Sequence, residues 1–172
     1  MRILDCDPRH LEAIRAIFNE AIVQTTALYE YHPRTQEAVN AWWEAKRAAG
    51  LPLLAAEDEQ GRLLGFATYG TFRAYPAYKY TVEHSVYVDA RHHGRGIGRH
   101  LLEALIEAAQ ARGCHTLIGV IDAGNAASLA LHEKLGFQRC GGLRQAGFKF
   151  GRWLDLEFLQ LLLPGPEEPA DG

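Results

Sequence analysis

The sequence predicts a single α/β domain with a mixed, mostly antiparallel central sheet flanked by helices. Three observations predict it. The apolar stretches 53–56 and 63–69 flank Asp58-Glu59-Gln60-Gly61, the pattern of a hairpin turn between antiparallel strands. Further on, the β-branched and aromatic stretch 80–88 is followed by an amphipathic helical pattern and then by the compact apolar run 116–121. Strand, helix and strand in that order predict a right-handed parallel crossover. Finally, 172 residues, 48% of them hydrophobic and 23% charged, suit one globular domain with a substantial core and leave little room for a second.

The elements follow in chain order. Ile3-Leu4 opens a short strand, Asp7 is placed as a cap with Pro8 at the first helical turn, and Leu11, Ile14, Ile17, Phe18, Ala21 and Ile22 recur at helical spacing. Residues 25–34, with Tyr29, Tyr31 and Pro33, break that period. A second helix is predicted over 36–49, carrying Trp42 and Trp43 and ended by Gly50 and Pro52. After the hairpin and a connection rich in Pro and Tyr, the strand 80–88 runs directly into a glycine-rich segment. Leu101, Leu102, Leu105, Ile106 and Ala109 mark the next helix, which Gly113 closes. Asn125 is placed to cap a further helix through Leu135, ended by Gly136, and the chain from Phe137 through residues 153–163 supplies the closing strands. Residues 164–172, rich in Pro, Gly and Glu, read as a disordered tail following a domain of residues 1–163.

Composition excludes several function classes. A formal charge of −3 gives no general attraction to nucleic acid or to an anionic membrane, so any basic patch has a local purpose. Cys6, Cys114 and Cys140 are odd in number and far apart, which argues against a disulfide framework or a structural zinc site. The N-terminus lacks the apolar core of a secretory signal, and no run reaches the roughly 18 apolar residues of a membrane span, so the expected location is the cytoplasm. The adjacent His92-His93 pair has no carboxylate at ligand spacing, and no metal is expected.

The basic patch is Arg91-His92-His93-Gly94-Arg95-Gly96-Ile97-Gly98-Arg99-His100. Gly94, Gly96 and Gly98 allow positive φ and the close approach of a ligand, at the start of a helix whose unsatisfied N–H groups and dipole favour a phosphate. Cations at a helix N-terminus oppose that dipole by about 0.3–1 kcal/mol each. A bound polyphosphate reverses the balance. The spacing is neither that of a P-loop nor that of the dinucleotide fingerprint.

Arg91-x-x-Gly94-x-Gly96, preceded by Val86-Tyr87-Val88 and followed by an aliphatic helix, resembles the pyrophosphate-binding motif of the Gcn5-related N-acetyltransferase family. The stretch Asn125-Ala-Ala-Ser128-Leu-Ala-Leu-His132-Glu-Lys134-Leu-Gly136-Phe137 is similar to that family's later helix, which flanks pantetheine and thiol. Both motifs occur in the family's order, and the resemblance covers nearly the whole chain. Within the family, the segment 80–88 and Lys149-Phe-Gly-Arg-Trp153-Leu-Asp155 resemble phosphinothricin acetyltransferases and the related methionine sulfone and sulfoximine acetyltransferases. These acetylate α-amino groups of small amino-acid analogues and are typically homodimers.

The resemblance implies a fold whose two parallel middle strands splay around acetyl-CoA, and it assigns the residues. Val86, Tyr87 and Val88 would meet the pantetheine arm, and Arg91, Gly94, Arg95, Gly96, Ile97, Gly98 and Arg99 the pyrophosphate. Asn125 is both a helix cap and a pantetheine contact, and Lys134 either a CoA phosphate contact or a surface lysine. Acyl transfer to an amine also needs a base for the ammonium proton and an acid for the departing thiolate. Glu83, in a Thr-x-Glu-x-Ser pattern, is the candidate base. His132 stands where many relatives carry a thiolate-protonating tyrosine, and it is either the candidate acid, with the two roles exchangeable, or a packed helix histidine. Arg73, Ala74 and Tyr75 are candidates to hold the acceptor's carboxylate or oxidised side chain, with Glu83, His84 and Ser85 beside them. Tyr29, Tyr31, Tyr78 and Trp153 line a pocket or belong to the core. The expected reaction is direct attack of the amine in a ternary complex, since no cysteine is placed as a nucleophile. The alternatives are a protein or peptide amine acetyltransferase and a non-catalytic acyl-CoA sensor.

Overall fold

A computed structural model describes residues 1–171 as seven strands and four α-helices. Strands β1 (Arg2–Asp5), β2 (Leu53–Glu57), β3 (Leu63–Thr71), β4 (Thr81–Val88), β5 (Thr116–Asp122), β6 (Gln138–Lys149) and β7 (Arg152–Leu162) form one sheet in the order β1-β2-β3-β4-β5-β7-β6. The pairs β1–β2, β2–β3, β5–β7 and β6–β7 are antiparallel, and β4–β5 is parallel. The helices are α1 (Leu11–Gln24), α2 (Gln36–Ala48), α3 (Ile97–Ala111) and α4 (Ala126–Lys134). The predicted hairpin, crossover and closing strands are all present. Asp7 and Pro8 start a 3₁₀ turn, Pro8–His10, which feeds α1 three residues later than predicted.

Two compact units are distinguishable, Met1–Thr68 with Val86–Leu105, and Tyr69–Ser85 with Ile106–Gly172. In the first, Leu11, Ile14, Ile17 and Phe18 of α1 pack with Val39, Leu53 and Phe66, and Trp42 and Tyr87 close over them. Phe18 meets Trp42, Phe66 and Tyr87 edge-on, with ring centroids 5.2, 4.9 and 5.2 Å apart. Such pairs add about 0.5–1.5 kcal/mol each beyond area burial. Tyr87 is thereby fixed, and with it the end of β4. Gly65 permits the close packing beside it, since a Cβ there would lie 2.7 Å from the Tyr87 carbonyl oxygen and 3.1 Å from Val88 Cα.

The same unit buries a charge. Glu57 is fully enclosed and accepts from His10 Nε2 at 2.7 Å, while Arg9 and Arg2 reach it at 2.7 and 3.1 Å. The Asp7 amide donates to His10 Nδ1, so the ring's other nitrogen carries the proton given to Glu57. These hydrogen bonds, led by that from His10, hold the Glu57 carboxyl below its ordinary range.

In the second unit, parallel pairing of β4 with β5 covers three residues a side, Thr81 with Thr116 through Glu83 with Ile118. The antiparallel β6–β7 pair carries register shifts between Arg139 and Gly141 and between Leu143 and Gly147. Residues 163–171 have no helix or strand, yet Leu163 N–H donates to the His115 carbonyl at 2.8 Å and Ala170 N–H to the Tyr80 hydroxyl at 3.2 Å. Residue 172 of the expected tail lies outside the described residues. Among the described residues no helix is long and apolar enough to cross a membrane.

Candidate active site

The glycine-rich loop belongs to the first unit and is built by Asp89. This nearly buried carboxylate accepts from the Arg91 amide at 2.9 Å and grips the Arg91 guanidinium through Nε and an Nη, the latter at 2.6 Å. The Asp89 amide in turn donates to the Leu64 carbonyl at 2.9 Å, tying the loop's first turn to β3. His93 Nε2 donates to the Val88 carbonyl at 2.9 Å. Hydrogen bonds from Arg91 hold the Asp89 carboxyl below its ordinary range.

Beyond this turn the loop opens. Gly94 and Gly96 have φ of +75° and +79°, and a Cβ at either would meet nothing within 4 Å. That open cradle ends at α3, whose first amides have no partner within the helix. Ile97 is buried and anchors the helix start, and Gly98 follows it within the first turn. The cations differ. Arg91 is engaged by Asp89, and Glu20 adds to the negative field around it. Arg99 and His100 are paired with Glu103, at 2.8 and 3.4 Å. Arg95, between the two glycines, has no ion-pair partner among the described residues. The sequence ranked these cations alike, whereas the structure leaves Arg95 uncommitted and makes Arg91 chiefly a brace. An open glycine cradle, an unpaired guanidinium and a helix N-terminus are a fit for a pyrophosphate.

The candidate proton-transfer groups Glu83 and His132 belong to the second unit. Along β4, Val82 and His84 are buried and Glu83 faces out, so the alternation of the strand separates Glu83 from His84. Enough protein surrounds Glu83 that desolvation raises its carboxyl pKa, while the Arg73 guanidinium pulls it down. Arg73, Ala74 and Tyr75 are exposed in the connection between β3 and β4, and Arg73 stacks on Phe72 at 5.2 Å. Ser85 is half-buried. Sequence reasoning grouped His84 with Glu83 as an acceptor contact, but the structure brings it to His132 instead. The two Nε2 atoms are 2.8 Å apart, although the residues are separated by 48 positions in the chain. His84 Nδ1 donates to the Ile118 carbonyl at 2.8 Å and His132 Nδ1 to the Ser128 carbonyl at 2.7 Å. Phe137 covers both rings at 5.2 and 5.0 Å. Burial is the leading influence on each imidazole and pushes both toward the neutral form.

Asn125 caps α4, its side-chain oxygen accepting from the Ser128 amide at 3.1 Å, and Lys134 is exposed at the helix end. Of the aromatic candidates, Tyr31, Tyr78 and Trp153 are exposed rather than part of the core. Among the described residues no group of three or more His, Cys, Asp or Glu side chains is placed to hold a metal ion. Sequence reasoning missed Asp89 and the histidine contact. The position of Asp89 directly before the basic patch was an available signal for the first, and His84 on the apolar face of β4 for the second.

The sequence model of the acetyltransferase (GNAT) family matches residues 12–137. The L-methionine sulfoximine/L-methionine sulfone acetyltransferase of Pseudomonas paraeruginosa is 46% identical over 161 residues, 94% of each chain. The crystal structure of an N-acetyltransferase from Staphylococcus aureus superimposes with a TM-score of 0.92 at 47% identity, covering 94% of this chain and 97% of that one. A phosphinothricin acetyltransferase from Sinorhizobium meliloti, solved in complex with acetyl-CoA, superimposes with a TM-score of 0.94 at 33% identity, over 99% and 92% of the two chains.

Proposed function

This chain belongs to the acetyltransferase (GNAT) family, and from that premise we propose that it moves the acetyl group of acetyl-CoA to the α-amino group of a small amino acid or analogue. Methionine sulfoximine, methionine sulfone and phosphinothricin are the acceptors named by its relatives. The observation that carries the reading is the loop: two glycines at positive φ with open space around them, Arg95 between them with no ion-pair partner among the described residues, and the start of α3 behind.

Acetyl-CoA supplies an activated thioester. The amides of Gly94 through Arg99 and the Arg95 guanidinium hold its pyrophosphate, and the backbone of Val86, Tyr87 and Val88 lines the pantetheine arm and polarises the thioester carbonyl. Arg91 keeps the loop in shape through Asp89. Asn125 caps α4 and offers its side-chain amide to the pantetheine, and Lys134 serves a CoA phosphate. Glu83 takes the proton of the attacking amine. Its raised pKa suits a base working near neutrality, where acceptor and donor strengths are balanced. Arg73, with Ala74 and Tyr75, receives the acceptor's carboxylate, and Ser85 adds a polar contact. Direct attack is supported by the state of the thiols: burial raises Cys114, and Cys6 is pushed up to about 12, so neither offers a ready thiolate.

The domain of residues 1–163 acts in the cytoplasm as a homodimer in this reading, where modification of toxic amino-acid analogues confers resistance. Supporting the dimer, β6 is the last strand of the sheet, and Leu143, Phe150 and Trp153 of the β6–β7 hairpin are exposed. A monomer by sedimentation at micromolar concentration would remove that part. The chemistry is tested by mass spectrometry of the product from methionine sulfoximine. Acetylation on the α-nitrogen is expected, and acetylation elsewhere in the molecule contradicts the assignment.

A further inference from the structure

The histidine pair has a proton count that two neutral rings do not meet. His84 Nδ1 faces the Ile118 carbonyl, His132 Nδ1 faces the Ser128 carbonyl, and the two Nε2 atoms face each other. A carbonyl oxygen only accepts, so each Nδ1 carries a hydrogen. Each Nε2 of a neutral ring would then present a lone pair, and two lone pairs would oppose each other at 2.8 Å. Three contacts require three protons, and two neutral imidazoles hold two. Among the described residues the neighbours recorded against the rings are Phe137, Gly119 and those two carbonyls. Among the described residues His132 is the titratable group that acts on His84, and burial is the leading influence on both rings. Glu83, next in sequence, faces the other side of β4.

We infer that His84 and His132 share one proton between their Nε2 atoms and titrate as a single acid, with His84 the positioning residue that holds that proton on His132. The inference rests on the acetyl-transfer reading and deepens it. As the carbon–sulfur bond breaks, its electron pair stays on sulfur, and the shared proton passes to that sulfur to give the thiol. Two neutral rings remain, and the Nε2–Nε2 contact has to open. Glu83 takes the ammonium proton before attack, and the second proton, lost by the nitrogen as the tetrahedral intermediate collapses, restores the pair. Burial makes the shared proton more acidic than that of an imidazolium ion in water, which suits a donor to a thiolate. The carbonyl contacts hold both rings in the one tautomer that leaves Nε2 available for it.

Nitrogen-15 spectra of the histidine-labelled protein, assigned with His84→Gln and His132→Gln, test the count without turnover. The expected result on the acid side of the pair's titration is three N–H groups on the four ring nitrogens, with one low-field proton that disappears in either variant. Two N–H groups on those nitrogens at every pH at which the fold persists would overturn the inference. In kinetics, His84→Gln is expected to lower kcat by about 10-fold or more. It also moves the alkaline limb of the kcat profile to lower pH, because His132 alone, still buried, holds its proton less well. A purely structural role would lower the thermal midpoint and leave that limb in place, which contradicts the inference. If no acceptor is acetylated, the acetyl-transfer reading fails while the nitrogen count still stands. If the count is two throughout that pH range in an active enzyme, only the shared proton fails.

Discussion

Glu83→Gln is expected to lower kcat by about 10²–10⁴-fold, the range found when a general base is removed. The acetyl-CoA dissociation constant should stay near its wild-type value, since Glu83 faces out of β4 before the loop that follows Val88. The wild-type rate should fall as pH drops through the Glu83 pKa, because only the carboxylate accepts a proton. That pKa is raised by desolvation and opposed by Arg73, so the acidic limb lies above the ordinary glutamate range. Removing Arg73 removes the opposing influence, and Arg73→Ala should move the limb further up. In Glu83→Gln the limb should vanish along with most of the rate. A variant that keeps both rate and limb would exclude Glu83 from the mechanism.

The second large effect is expected at Gly96→Val. An L residue in the left-handed region costs about 1–2 kcal/mol, and a β-branched side chain is stiffer still. Gly96 has φ of +79°, so valine would strain the loop or pull it out of shape. Nothing lies within 4 Å of its Cβ position, so the free protein has no clash, and the thermal midpoint should fall only modestly. That open space is where the pyrophosphate is assigned, and the added side chain would occupy it. The acetyl-CoA dissociation constant is expected to rise at least about 10-fold, equivalent to 1.4 kcal/mol. With acetyl-CoA at saturation kcat should recover toward wild type, in contrast to Glu83→Gln. Unchanged affinity in Gly96→Val would mean that the pyrophosphate is held elsewhere.

Much of the fold was legible because its signals are local. The hairpin turn at Asp58-Glu59-Gln60-Gly61, the apolar period of α1 and the Asn125 cap each depend on residues within a turn or two of one another. The loop was legible for the same reason, since glycine spacing and the helix behind it are consecutive. Contacts that depend on register were not. His84 and His132 are brought together by the pairing of β4 with β5 and the return of α4, and nothing near either residue encodes that meeting. The rank of the loop cations was hidden too, because a list of arginines does not say which one a carboxylate will capture. Asp89 captures Arg91, Glu103 captures Arg99, and Arg95 remains. Trp153 and Tyr31 were read as pocket or core residues from aromatic type alone, and both are exposed, because burial depends on which strand faces and edges remain uncovered.

Acetyl transfer to a small α-amino acceptor is the central claim, and the most direct measurement is thiol release from acetyl-CoA. The acceptors are phosphinothricin, methionine sulfoximine, methionine sulfone and a peptide amine, compared by kcat/KM on the same enzyme. The account predicts release with at least one of the three small acceptors, at a kcat/KM at least about 10-fold above the peptide, a difference of 1.4 kcal/mol in transition-state binding. Release with the peptide alone would point to a protein acetyltransferase. Tight acetyl-CoA binding with no release for any amine would mark a sensor, and either result would contradict the account.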